Sequence, residues 1–94
     1  MLFVVTHTHS AERCPAHEGK EAVKKYYQRL SPNAAKRADV RIVGAYTAPS
    51  EHTQFLILEA DSYLSVTKFL GGLQTIGTTD ITPVSTVEER LKLL

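Results

Sequence analysis

The first nine residues, MLFVVTHTH, are mostly apolar and β-branched and precede the turn-forming Ser10, a pattern that predicts a β-strand. Successive side chains of a strand point to opposite faces. One face of this strand therefore carries Met1, Phe3, Val5, His7 and His9. Both faces are apolar at the beginning of the strand, so we expect it to be central in a sheet and covered on both sides.

A helix is predicted to follow, because Cys14-Pro15 is typical of a helix start and apolar residues then recur at helical spacing. Proline suits the first helical position, where its missing N–H would have no partner in any case. The residues expected to face the sheet are Ala22, Val23, Tyr26, Tyr27 and Leu30. Ser31-Pro32 is predicted to end this helix, and residues 33–39 are predicted to form a polar connector.

Two further strands are predicted at residues 40–47 and 52–60, and the short turn between them makes the pair a hairpin. A second helix is predicted next, capped by Asp61 or Ser62 and stopped at Gly71-Gly72. The residues that this helix is expected to bury are Tyr63, Val66, Phe69, Leu70 and Leu73.

The last part of the chain predicts a fourth strand at residues 78–84, whose Pro83 suits an edge position. The run Ser-Thr-Val-Glu at residues 85–88 predicts a capping box at the start of a short terminal helix. The apolar residues of that helix are Val87, Leu91 and Leu94.

The predicted order is β-α-β-β-α-β with a terminal helix, which defines a ferredoxin-like α+β fold with an antiparallel sheet of order 4-1-3-2. We expect residues 1–94 to form a single domain of this kind. The two helices cover one face of the sheet. The other face is too apolar to be left in water, so we expect it to be covered by a second copy in a homodimer.

Composition narrows the possible partners and location. Eleven basic and ten acidic residues give a formal charge of +1, and acidic residues are interspersed among the basic ones, which argues against nucleic-acid binding. The longest apolar run is five residues, so no membrane association is expected. Cys14 is the only cysteine and Met1 is followed directly by an apolar run, so we expect a cytoplasmic protein without disulfides.

Three stretches of the chain resemble the dimeric α/β-barrel superfamily: MLFVVTHTH, VRIVGAYT leading to FLILEADS, and ITPVSTVEERLKLL. More narrowly, Glu59-Ala60-Asp61 and Thr82-Pro83-Val84 are similar to features of a group of small uncharacterised prokaryotic proteins in that superfamily. The resemblance implies a ferredoxin-like fold and dimerisation. The superfamily includes cofactor-free monooxygenases, lactone isomerases, haem-degrading enzymes and plain binding proteins, so the resemblance implies fold rather than chemistry.

The predicted topology brings several reactive side chains to one end of the sheet, where the first strand ends and the antiparallel third strand begins. The groups expected there are His7, His9, Cys14, His17, Tyr46, His52 and Asp80. Imidazoles and a thiolate together suit zinc, nickel, copper or iron better than calcium or magnesium. The predicted metal ligands are His7, His9, Cys14, His17 and His52.

Three other interpretations of the same residues stay open. The cluster can be an ordinary strand end running into a helix, with no ligand. Cys14 at a helix N-terminus can instead be a reactive thiol with His17 as its base, which makes these two the candidate catalytic residues. A cofactor-free monooxygenase or isomerase would use His7 or His52 for proton transfer and bind a small molecule in an aromatic pocket. The aromatic residues available for such a pocket are Tyr26, Tyr46, Phe55, Tyr63 and Phe69.

Overall fold

A computed structural model describes residues 1–94 and contains one sheet of four antiparallel strands in the order β2-β3-β1-β4. The strands are β1 (Leu2–His9), β2 (Val40–Ala48), β3 (Thr53–Ala60) and β4 (Gly77–Val84). This order is the predicted 4-1-3-2 arrangement, so the ferredoxin-like α+β fold is confirmed. Pro83 lies in β4 at an edge of the sheet, as expected, where a missing backbone donor costs no ladder hydrogen bond.

The helices are α1 (Lys20–Gln28), α2 (Pro32–Arg37), α3 (Tyr63–Leu70) and α4 (Val87–Leu91). The prediction of a helix start at Cys14-Pro15 is wrong for α1. Residues Pro15–Glu18 form a 3-10 turn, and Gly19 with φ 97° separates it from α1. Glycine adopts a positive φ without steric cost, which allows the chain to change direction at this residue.

The predicted polar connector at residues 33–39 is also wrong, because most of it is α2. Ser31 is the N-cap of this helix, and its hydroxyl accepts a hydrogen bond from the backbone N–H of Ala34. Pro32 then occupies the first turn, where proline is tolerated. The two residues that were predicted to end the first helix therefore start α2, and α1 itself ends earlier, at Gln28.

The remaining helix predictions need two smaller corrections. Ser62 caps α3 and the helix stops at Gly71, as expected, but Tyr63 is exposed rather than buried. The cap of α4 is Thr86 with Glu89, one residue later than the predicted capping box. None of the helices is long and apolar enough to cross a membrane.

The core lies between the sheet and α1, α2 and α3. It contains the inward-facing residues of the strands and one side of each of these helices. Its largest fully buried members are Phe3, Leu56, Leu58, Leu70, Leu73, His7, Val5 and Val66. Two residues of β1 in this layer are histidines, so the core becomes polar toward the end of the strand.

No element of this chain covers the opposite face of the sheet, and the covering of that face by a second copy stays a prediction. Val4 and Phe55 on this open face remain 37% and 42% exposed. Its one ion pair joins Arg41 and Glu59, whose nitrogen and oxygen are 3.0 Å apart across β2 and β3. Residues 82–94, including the apolar side chains of α4, are exposed throughout.

Candidate metal centre

His7 and His9 lie on the helix-covered face of β1, where both side chains are buried. Strand alternation places them there together with Phe3 and Val5. Their ring centroids are 5.7 Å apart. His7 Nδ1 is 3.0 Å from the hydroxyl oxygen of Thr79 on β4, which fixes the His7 ring from the edge of the sheet.

His52 joins this group from the start of β3. The backbone N–H of His9 donates to the His52 carbonyl over 3.1 Å, and the two ring centroids are 5.4 Å apart. His52 has φ 51° and ψ 40°, the left-handed conformation that few residues other than glycine adopt. The side chain of His52 is therefore positioned by a strained backbone at the end of the 3-10 turn Pro49–Glu51.

Cys14 reaches the same point from the segment after β1. It sits between two 3-10 turns, Ala11–Arg13 and Pro15–Glu18, and its N–H donates to the Ala11 carbonyl over 3.3 Å. Donor atoms of His9, Cys14 and His52 all lie within 4.8 Å of one another. These three side chains, from three separate segments, are compatible with holding one metal ion.

The other two predicted ligands lie outside this group of three donors. His17 is exposed, and its Nε2 lies 2.5 Å from the Ala11 carbonyl, to which it must donate. His7 lies deeper than His9 and is fully buried. Tyr46 and Asp80 belong to the same end of the sheet, as expected, but alternation places both on the open face.

A chain of hydrogen bonds orients His9. Gln54 on β3 donates through Nε2 to Thr47 Oγ1 over 3.0 Å, and its Oε1 accepts from the Tyr26 hydroxyl of α1. Since the hydrogen of that hydroxyl is directed at Gln54, its oxygen accepts a hydrogen bond from His9 Nδ1, 3.5 Å away. His9 Nε2 is then the nitrogen that carries the lone pair, which is the form that coordinates a metal.

Burial determines the protonation of the inner side chains. It lowers the pKa of His7, with His9 adding to the shift, and it lowers the pKa of His9, with His52 adding to the shift. Burial also raises the pKa of Tyr26, reinforced by Tyr27 and Cys14, so this hydroxyl keeps its proton. Both strand histidines are accordingly neutral near pH 7, as metal binding requires.

Two buried nitrogen atoms in the site have no hydrogen-bond partner in the protein, His7 Nε2 and His9 Nε2. A buried polar atom without a partner costs about 1–3 kcal/mol. Such atoms are uncommon in native proteins and call for a physical explanation. For His9, coordination of a metal ion shared with Cys14 and His52 would explain why the nitrogen has no partner in the protein.

A cavity of about 240 Å³ adjoins the three donors, and all three line it. The rest of its lining is largely apolar or aromatic: Pro15, Ala16, Val23, Tyr26, Tyr27, Pro49 and Gln54. Of the five aromatic residues expected in a substrate pocket, only Tyr26 lines this cavity. Tyr46, Phe55 and Tyr63 are exposed, and Phe69 packs against the core elsewhere.

The sequence pattern did not single out Gln54, and it assigned Tyr26 only to the core or a pocket. One signal for Gln54 was present, since an amide at an inward-facing position of the apolar run TQFLILEA needs a buried partner.

The reactive-thiol hypothesis depended on a helix N-terminus at Cys14. That helix begins at Lys20 instead, and His17 is bonded to a carbonyl.

The fold and the site together define a small α+β protein with a ferredoxin-like sheet and a His–Cys–His group at one end. The chain belongs to the family described as "Domain of unknown function (DUF3303)", whose model matches residues 1–94. No curated protein matches the chain.

Proposed function

We propose that the protein binds one transition metal ion through His9, Cys14 and His52. The observation that carries this proposal is the convergence of three donor atoms within 4.8 Å at the wall of a cavity. In a tetrahedral zinc site, bonds of about 2.0–2.1 Å to nitrogen and about 2.3 Å to sulfur place donors roughly 3.4–3.6 Å apart. The donors therefore need to approach one another by at most about 1.4 Å to hold an ion.

The donor types favour a transition metal over calcium or magnesium. A thiolate and two neutral imidazoles suit zinc, copper, nickel or iron, whereas calcium and magnesium prefer oxygen ligands. The hydrogen bond to Tyr26 leaves the lone pair of His9 on Nε2, and the lowered pKa keeps the ring unprotonated. A thiolate ligand also needs a reducing environment, so we propose a cytoplasmic location.

We further propose that the protein is a homodimer of the dimeric α/β-barrel type, joined through the open faces of the two sheets. Val4, Phe55 and Val84 are apolar and partly exposed on that face. The apolar side chains of α4 are exposed as well, and no element of the chain covers them. Large apolar side chains left exposed on a sheet face are typical of an interface.

Metal titration of the untagged protein tests the proposal. Calorimetry with zinc, nickel, copper and iron is expected to give one site per chain in the wild type. Cys14→Ser and His52→Asn should each weaken binding by more than tenfold, because each removes one donor, while asparagine still tolerates the left-handed backbone at position 52. His17→Ala is the matched control and should bind as the wild type does, since His17 lies outside the group. Equal affinity in all four proteins would overturn the proposal.

A further inference from the structure

We propose that the metal ion keeps one exchangeable coordination position that opens into the adjoining cavity, and that this position takes a small monocarboxylate with an apolar body. The inference rests on the proposed metal site. It concerns the cavity of about 240 Å³ that His9, Cys14 and His52 line together. Because all three residues line this cavity, an ion bound to them lies at its wall.

The number of protein donors leaves a position open. Metal sites with four protein ligands are structural, whereas sites with three keep a position for water or substrate. His7 and His17 do not line the cavity. Three other polar side chains line the cavity, and all are already paired. Tyr26 donates to Gln54, and the Gln54 amide donates to Thr47. The Tyr27 hydroxyl is also bonded to Thr47 Oγ1, at 3.3 Å. The fourth ligand must therefore come from outside the protein.

Charge favours an anion at this position. A divalent ion with one thiolate and two neutral imidazoles has a net charge of +1. The cavity lining contains no aspartate, glutamate, lysine or arginine, so neither a competing anion nor a second cation is present. A carboxylate would thus depend on the metal for its binding.

The lining determines the rest of the ligand. Pro15, Ala16, Val23 and Pro49 offer apolar contacts, and the Tyr27 ring adds an aromatic surface. The cavity is smaller than drug-sized sites, which run from about 300 to about 1,000 Å³. The ligand is accordingly a compact carboxylate such as a substituted acetate or benzoate. It would gain affinity over acetate through burial of its apolar part.

Cobalt(II) is a suitable probe, because its thiolate charge-transfer band reports the bound Cys14 and its d–d bands report the coordination number. Benzoate added to the cobalt-loaded protein is expected to shift the d–d bands saturably. Acetate should bind more than tenfold more weakly, and neutral benzamide should leave the bands unchanged. Calorimetry with metal-free protein should show no benzoate binding.

A variant whose side chain fills the cavity distinguishes benzoate binding inside the cavity from nonspecific anion binding. Ala16→Leu should retain the charge-transfer band and weaken benzoate binding by more than tenfold. If Ala16→Leu loses the charge-transfer band, Val23→Phe on α1, which fills the same cavity, is the test variant instead. Ala11→Leu is the matched control, since Ala11 is exposed and does not line the cavity.

Two failures can be told apart. A charge-transfer band that forms while benzoate leaves the d–d bands unchanged, or binds equally to Ala16→Leu, would overturn the cavity inference and leave the metal site standing. Absence of the band would overturn both the metal site and the inference that rests on it.

Discussion

Tyr26 and His9 are joined through a single hydroxyl group, which donates to Gln54 Oε1 and so can only accept from His9 Nδ1, 3.5 Å away. Partners of this kind orient metal-binding histidines, and their loss costs about 10–100-fold in metal affinity. We expect Tyr26→Phe to weaken zinc binding by about that factor in a competition titration. Nitrogen-15 NMR of the metal-free wild type should show the proton of His9 on Nδ1.

The neighbouring tyrosine provides the control for this prediction. The hydroxyl of Tyr27 lies 3.3 Å from Thr47 Oγ1 and makes no contact with a histidine nitrogen. Tyr27→Phe should therefore leave zinc affinity unchanged. Equal zinc affinity in Tyr26→Phe and Tyr27→Phe would show that the hydrogen bond to His9 has no part in the site.

Acid should destabilise the metal-free protein, because burial lowers the pKa of both His7 and His9 in the folded state. Below about pH 6.5, the ordinary value in the unfolded chain, the unfolded state binds more protons than the folded one. The free energy of unfolding then falls with pH until the lowered folded-state pKa values are reached. Denaturant titrations between about pH 7.5 and about pH 5 measure this fall.

The matched variant for the acid prediction is His7→Leu, which removes one of the two buried imidazoles and its unpartnered nitrogen. It should lose less stability over the same pH range than the wild type. A wild-type stability that does not change between about pH 7.5 and about pH 5 would contradict the prediction.

His52 combines a proposed ligand with a left-handed backbone, and two substitutions separate these roles. A residue with a Cβ atom in this conformation costs about 1–2 kcal/mol relative to glycine. We expect His52→Gly to have a free energy of unfolding about 1 kcal/mol higher than that of His52→Ala, while both bind zinc equally weakly. The opposite order of stability would mean that the backbone at position 52 relaxes.

The proposed dimer predicts a sedimenting mass of twice the 10.4 kDa chain mass at micromolar concentration. Phe55→Lys places a charge in the middle of the open face and should give a monomer, because an unpaired charge is costly to bury. Tyr63→Lys is the control, since Tyr63 is exposed on α3 and lies away from that face. A wild type that sediments as a monomer would remove the dimer from the proposal.

The sheet could be predicted from the sequence because each strand has its own alternating or continuous apolar pattern. The helices were harder to predict than the sheet, since Ser31-Pro32 carries the signals of both a helix end and a helix start. The apolar stripe of α4 is visible in the sequence. Only the structure shows that nothing in the same chain covers it.

The site was predictable in position but not in composition. The proximity of His9 and His52 could be predicted from strand pairing alone, because antiparallel strands place the end of β1 beside the start of β3. Which histidine meets Cys14 depends on the path of the 3-10 turns after β1, which propensities do not specify. The contact between Tyr26 and Gln54 depends on how α1 docks on the sheet, which leaves no local pattern.

The identity of the metal ligands is the central claim, and zinc K-edge X-ray absorption on the zinc-loaded protein tests it most directly. We predict one sulfur at about 2.3 Å and two imidazole nitrogens at about 2.0–2.1 Å, with one further light atom from a non-protein ligand. The sulfur contribution should vanish in Cys14→Ser. A wild-type spectrum that shows only oxygen and nitrogen donors, with no sulfur, would contradict the assignment of His9, Cys14 and His52.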